Sequence, residues 1–123
     1  MDKWKVLVVE DDTPVRNLIT VTLSAEDYSV FTAASGAEAV TEAASRNPDI
    51  ILLDLGLPDR DGVEVIETIR SWADTPIIVI SARDEDADKI GALDAGADDY
   101  ITKPFSVAEL LARLRATQRL LQC

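Results

Sequence analysis

The sequence contains no histidine. That removes the imidazole base and nucleophile, and with them the commonest transition-metal ligand. It has one cysteine, Cys123, at the last position, which supports neither a disulfide framework nor a thiolate metal cluster and suits a reducing cytoplasm. Positive charge is scarce: 12 Lys and Arg stand against 23 Asp and Glu, a net charge of −11. A phosphate backbone needs a basic partner, so this stretch is not expected to bind nucleic acid itself. No apolar run approaches the roughly 20 residues of a bilayer span, and the first residues carry no signal-peptide pattern. Membrane insertion is therefore not expected, and a cytoplasmic location is. What remains is 123 residues with 47% apolar content, the size and composition of one globular domain.

The most informative stretch is Ile50-Ile51-Leu52-Leu53, four consecutive aliphatics suited to a strand covered on both faces. Asp54 follows at its carboxyl end, where open α/β sheets carry their chemistry. Residues 5–9 read as a first buried strand running into Glu10-Asp11-Asp12. Thr13-Pro14 then reads as an N-cap and first helical residue, and Val15, Leu18, Ile19, Thr22 and Leu23 have helical spacing. Residues 28–34 form a less apolar strand, expected nearer a sheet edge. Ser35–Glu38 and Ser106–Glu109 have capping-box spacing.

A third helix is predicted over 63–72, with Ile66, Ile69 and Trp72 or Ala73 inward. Residues 77–80 form a fourth strand ending at Ser81. A fourth helix over 84–95 has a thin stripe of Ala87, Ile90 and Leu93, closed by Gly96. Residues 98–102 form a short fifth strand ending at Lys103-Pro104. The last helix runs to about residue 121 with a stripe of Leu110, Leu111, Leu114 and Leu121. Trp4 and Trp72 read as packing residues. Five βα units in alternation specify an α/β fold: a doubly wound five-stranded parallel sheet, order 2-1-3-4-5, flanked by five helices, flavodoxin-like.

In that order the first and third strands are neighbours at the switch point, which brings Glu10, Asp11 and Asp54 together. Clustered carboxylates repel unless a cation sits among them, and an all-oxygen donor set favours Mg²⁺. Ser81 brings a hydroxyl and Lys103 a positive charge, both suited to the oxygens of a transferring phosphoryl group. Asp54 is then the nucleophile. Singly, each residue also has a plain structural role as a turn cap, a helix-terminus charge or a solvated side chain. Their convergence on one end of one sheet is the signal.

Jointly, several motifs make the chain similar to the receiver domains of bacterial two-component response regulators, over essentially its whole length. They are Val8-Val9-Glu10-Asp11-Asp12, Asp54-Leu55-Gly56-Leu57-Pro58-Asp59 with Asp61-Gly62, Ser81-Ala82-Arg83, and the run from Gly96 to Phe105. The fifth-strand motif resembles the OmpR/PhoB branch. The Gly56 loop and Ser81-Ala82-Arg83 with Asp88-Lys89-Ile90 resemble its regulators of potassium-transport genes.

The resemblance implies that Asp54 takes a phosphoryl group from a sensor histidine kinase. Asp11, Asp54 and the Gly56 carbonyl would ligate Mg²⁺, with Glu10 acting through water. Lys103 would contact the phosphoryl group, Ser81 would shift toward it and Tyr100 would turn inward behind it. The Lys103–Pro104 bond is expected to be cis, and the acyl phosphate to hydrolyse slowly in place, as in a signalling module rather than a turnover enzyme. The face of helix 4, strand 5 and helix 5 would form a homodimer. There Lys89 would pair with Glu109, Asp99 with Arg113 and Asp94 with Arg115 across a two-fold. Asp98 belongs to this face too, but Leu120 follows Arg119 where relatives often carry a second basic residue, which leaves its partner open. DNA would be reached only through a C-terminal winged-helix domain, expected in the full-length protein and absent from this sequence.

Three other readings fit less well. A haloacid dehalogenase-type phosphohydrolase needs a second aspartate where Gly56 stands. A flavodoxin-like cofactor site needs a phosphate cradle where Glu10-Asp11-Asp12 would repel one. A calcium loop starting at Asp84 has Lys89 at its glycine position and Ala95 at its glutamate position.

Overall fold

The computed structural model describes residues 3–122, so Cys123 lies outside the described residues. Five parallel strands, β1 (Lys5–Val9), β2 (Ser29–Ala33), β3 (Ile50–Leu53), β4 (Ile77–Ser81) and β5 (Asp99–Thr102), form one sheet in the order β2-β1-β3-β4-β5. They alternate with α1 (Thr13–Ala25), α2 (Gly36–Arg46), α3 (Gly62–Arg70), α4 (Asp86–Ala95) and α5 (Val107–Leu121). This is the expected topology.

The two-residue period of a strand divides the core into two layers. Leu7, Val9, Ile51, Leu53, Ile77 and Val79 pack with Ala39, Val65, Ile66, Ile69 and Ala92 of α2, α3 and α4. Val6, Val8, Ile50, Leu52, Ile78 and Ile80 pack with Ile19, Leu23, Leu110 and Leu114 of α1 and α5. Burying one such aliphatic stabilises by about 1.5–3 kcal/mol, so the central strands β1, β3 and β4 are the rigid frame on which the site stands. At the edge, β2 is half-buried over Ser29–Phe31, exposed at Thr32 and buried only at Ala33, and the Arg46 guanidinium covers the Phe31 ring at 4.9 Å.

Several local expectations are corrected. Asp12, not Thr13, caps α1: its Oδ2 accepts the Val15 N–H at 3.0 Å, and a carboxylate there also meets the positive helix end. Only the row Val15, Ile19, Leu23 turns toward the sheet, which leaves Leu18 51% exposed. Trp72 lies beyond the end of α3 and is 48% exposed, while Ala73 packs inward. On α4 the expected stripe faces outward: Ile90 is 57% exposed and Leu93 46%, whereas the small Ala92 is buried against the sheet. Alanine spacing lets this helix lie close to the sheet, so bulk goes to the opposite side. On α5, Leu121 is likewise exposed.

Each capping box is half realised. Ser35 and Ser106 accept the N–H groups of Glu38 and Glu109, but Glu38 reaches the Ala34 N–H and Glu109 turns to Arg113.

Candidate functional site

The strand ladders continue one residue past each paired end, and that residue carries chemistry. The Glu10 N–H donates to Ala33 O at 3.0 Å, the Asp54 N–H to Val9 O at 2.9 Å, and the Lys103 N–H to Ser81 O at 2.8 Å. Backbone pairing thus aims three side chains from β1, β3 and β5 at one point. Lys103 Nζ donates to Glu10 Oε1 at 2.6 Å and to Asp54 Oδ2 at 3.2 Å. Glu10, Asp11 and Asp54 each place a carboxylate oxygen within 4.8 Å of the others. Glu10 is 2% exposed, Asp54 is half-buried and Asp11 is exposed, so the cluster is sealed below and open above. The Lys103–Pro104 bond is cis, as expected.

Three carboxylates against one ammonium leave an excess of negative charge when all are ionised. Burial, above all, pushes the Glu10 carboxyl up to about 8, and the neighbouring Asp54 adds to this. Burial alone would raise Asp54 too. It is outweighed by the Glu10 carboxyl, the Lys103 ammonium and the Gly56 N–H, which hold Asp54 below the usual carboxylate range. Burial likewise works against the Lys103 ammonium and is outweighed by Glu10 and Asp54, so Lys103 is raised and stays charged. Asp54 is therefore the ionised, partly exposed carboxylate of the cluster. Glu10 Oε2 is buried and has no hydrogen-bond partner, an unsatisfied acceptor inside a hard-oxygen cluster. The residues fit a small divalent cation such as Mg²⁺.

Ser81 is buried, and its Oγ accepts the Arg83 N–H at 3.1 Å. Tyr100 is already turned to the same loop: its hydroxyl donates to Arg83 O at 2.6 Å. Burial raises its phenol, partly countered by the adjacent Ser81 hydroxyl.

Sequence reasoning missed the side chains that brace these groups. Arg16 Nη1 donates to the Glu10 carbonyl at 2.8 Å and holds the acidic turn after β1. The Arg83 guanidinium reaches Asp61 Oδ2 at 3.1 Å, joining the loop after β4 to the loop after β3. Asp61 also caps α3 through the Val63 N–H at 2.9 Å. Asp59 accepts from Gly36 N–H at 2.7 Å and Ala37 N–H at 2.9 Å, at the start of α2. In sequence Asp59 and Asp61 read only as part of a turn-rich loop. Asp59 finds its partners, and Arg83 finds Asp61, 22 or 23 residues away.

On the α4–β5–α5 face, some of the charges expected to pair across a two-fold also bond within one chain. Arg113 bonds Asp99 at 3.1 Å and Glu109 at 3.3 Å in its own chain. The partner of Asp98 is Arg70 at 3.0 Å, and Asp98 Oδ2 also accepts the Ile77 N–H at 2.8 Å. Asp98 therefore ties α3 to the start of β4. Lys89 is half-buried, and Asp94 and Arg115 are exposed.

A five-stranded α/β sheet with an acidic cluster, a lysine and a buried serine at its carboxyl ends defines a class, and the sequence comparison agrees. Residues 6–115 match the response regulator receiver domain family, and the chain belongs to it. More particularly, it is 52% identical over 114 residues to the KDP operon transcriptional regulatory protein KdpE of Escherichia coli, covering 93% of this chain and 51% of that protein. It is 49% identical over 114 residues to the transcriptional regulatory protein KdpE of Mycobacterium tuberculosis, covering 93% and 50%. The chain thus spans about half the length of the curated relatives it matches. Its fold superimposes on the BeF3-activated N-terminal receiver domain of RstA from Klebsiella pneumoniae with a TM-score of 0.90 at 38% identity, covering 94% of this chain and 98% of that one. The protein is a KdpE-like receiver domain of a two-component response regulator. Among the described residues no helix is long and apolar enough to cross a membrane.

Proposed function

We propose that Asp54 accepts a phosphoryl group from a phosphohistidine of a sensor histidine kinase, and that the modified domain switches a transcriptional output. The observation that carries this reading is the placement of Asp54, ionised and half-buried, with Lys103 Nζ at 3.2 Å and two further carboxylates beside it. An Asp54 oxygen attacks phosphorus. The new O–P bond forms as the N–P bond to histidine breaks, and the electron pair stays on the imidazole nitrogen. The Lys103 ammonium neutralises charge on the incoming oxygens, and the Ser81 hydroxyl binds one of them.

Asp11, Asp54 and the Gly56 carbonyl would hold Mg²⁺, with Glu10 acting through water. The ion supplies charge neutralisation for the carboxylates and the phosphoryl group. Ser81 and Tyr100, linked through Arg83, carry the change toward α4, β5 and α5, where a homodimer forms. In this reading the domain is a signalling module with slow self-dephosphorylation, works in the cytoplasm, and reaches DNA through a C-terminal winged-helix domain. Its similarity to KdpE supports potassium-transport genes as the target.

Incubation with acetyl phosphate and Mg²⁺ tests the assignment. The native protein should gain one alkali- and hydroxylamine-labile phosphoryl group, and Asp54→Asn none. Labelling that persists in Asp54→Asn would overturn it.

A further inference from the structure

Gly56 has no side chain to anchor it, and a Cβ built there would meet nothing within 4 Å. Yet its carbonyl is the backbone ligand in the reading above, and a backbone ligand must be held still. The segment from Asp54 to Gly62 is tied down on either side of it. The Gly56 N–H donates to Asp54 Oδ1 at 3.2 Å, the Gly62 N–H donates to Leu55 O at 2.8 Å, and Gly56 pairs with Asp61. These ties are all internal to the loop. Arg83 links it to the loop after β4, which itself moves in the proposed switch.

Leu55 is fully buried in the core and Leu57 packs against it, and beyond these apolar anchors Asp59 provides the polar tie to the static side. Both of its oxygens take N–H groups of the first turn of α2, at 2.7 and 2.9 Å, and α2 packs on the sheet through Ala39 and Ala43. A carboxylate at a helix N-terminus is favoured by charge as well as by hydrogen bonds. The approach is close: a Cβ on Gly36 would lie 2.6 Å from Arg60 Cγ, so the loop seats directly on the helix start.

We propose that Asp59 is a positioning residue that docks the acceptor loop on α2 and so holds the Gly56 carbonyl in place for the cation. This rests on the reading of Gly56 as a ligand. Ser35 provides the control, because its hydroxyl caps the same helix at 3.1 Å without contributing to the loop's tie. Amide hydrogen exchange at Gly56, measured by NMR without metal, and Mg²⁺ titration of the same samples test the proposal.

Asp59→Ala should speed Gly56 exchange and weaken Mg²⁺ binding by roughly ten-fold, as loss of a group supporting a ligand does. Asp59→Asn, which keeps one acceptor, should recover part of both, and Ser35→Ala should change neither. Native-like Gly56 exchange in Asp59→Ala, or an equal effect from Ser35→Ala, would overturn it. If the native protein binds no Mg²⁺, the functional reading fails, and the exchange rates alone still decide for or against Asp59.

Discussion

Lys103 stands closer to Glu10 than to Asp54, at 2.6 Å against 3.2 Å, although Asp54 is the more acidic of the two. The ammonium therefore compensates the most deeply buried carboxyl of the cluster. Even so, the second Glu10 oxygen is left without a partner. The site is an electrostatic compromise whose balance depends on pH and would shift with a cation bound among the carboxylates.

That compromise gives a pH dependence of stability. The Glu10 carboxyl moves from 4.5 to about 8 on folding, so between these values the folded state binds more protons than the unfolded state. Stability without metal should then fall as pH rises from about 4.5 to about 8. Asp54 shifts the opposite way, and its contribution is lost only as pH falls below the carboxylate range. Mg²⁺ should bind more tightly as Glu10 ionises and should offset the loss at high pH. Melting temperatures in EDTA and in Mg²⁺ across this range check the expectation. Glu10→Gln, neutral at every pH, should flatten the metal-free profile. A profile equally steep in the variant would place the titration elsewhere.

Gly56 leaves the mouth of the site without a side chain. Gly56→Met should fold with a stability change within about 0.5 kcal/mol, as expected for an unhindered surface change. The added side chain should screen the acyl phosphate from water, so the phosphoryl-Asp54 lifetime should lengthen in Mg²⁺ buffer. A shorter lifetime would count against the idea that an open mouth admits water.

Gly62 is different, because a Cβ there would lie 2.6 Å from Leu55 Cα and 2.9 Å from Asp54 O. Both neighbours are backbone of the acceptor loop and cannot rotate away. Gly62→Ala should cost about 1–3 kcal/mol in urea unfolding, in the range of overpacking substitutions. Gly91, on the exposed side of α4, has open space, and Gly91→Ala should gain about 0.5–1 kcal/mol from helix propensity. Equal stabilities for the two variants would mean that the loop yields where its geometry says it cannot.

The parts legible in sequence are those governed by short-range pattern. The aliphatic runs of β1, β3 and β4 specified buried parallel strands, and strand order followed from βα alternation. Glu10, Asp11, Asp54, Ser81 and Lys103 could be placed because a strand end is a fixed address in such a sheet. The thin α4 stripe already looks under-covered for a single chain, and it is exposed; what periodicity did not give is that Ala92, outside the stripe, meets the sheet. A single alanine decided the packing there. Asp59, Asp98 and Arg83 were opaque for another reason. Their roles come from partners such as Gly36, Arg70 and Asp61, brought near only by the fold.

The outward turn of α4 carries the last prediction. Ile90 and Leu93 are exposed on a helix whose start has no side-chain cap, and Arg113 spends its charge on Asp99 and Glu109 of its own chain. Exposed ion pairs of this kind contribute little, so exchanging them between two chains costs little. In the proposed homodimer the apolar pair would then supply the association, through area removed from water. Ile90→Asp with Leu93→Asp should leave the melting temperature of the unphosphorylated protein near native, since neither side chain is buried. Phosphoryl uptake on Asp54 should also persist. Dimer formation by the phosphorylated protein, read by sedimentation velocity, should be lost. Lys89→Ala should weaken it only modestly, and less so in high salt, where a charge contact is already screened. Dimerisation that survives the double aspartate variant would move the interface off this face.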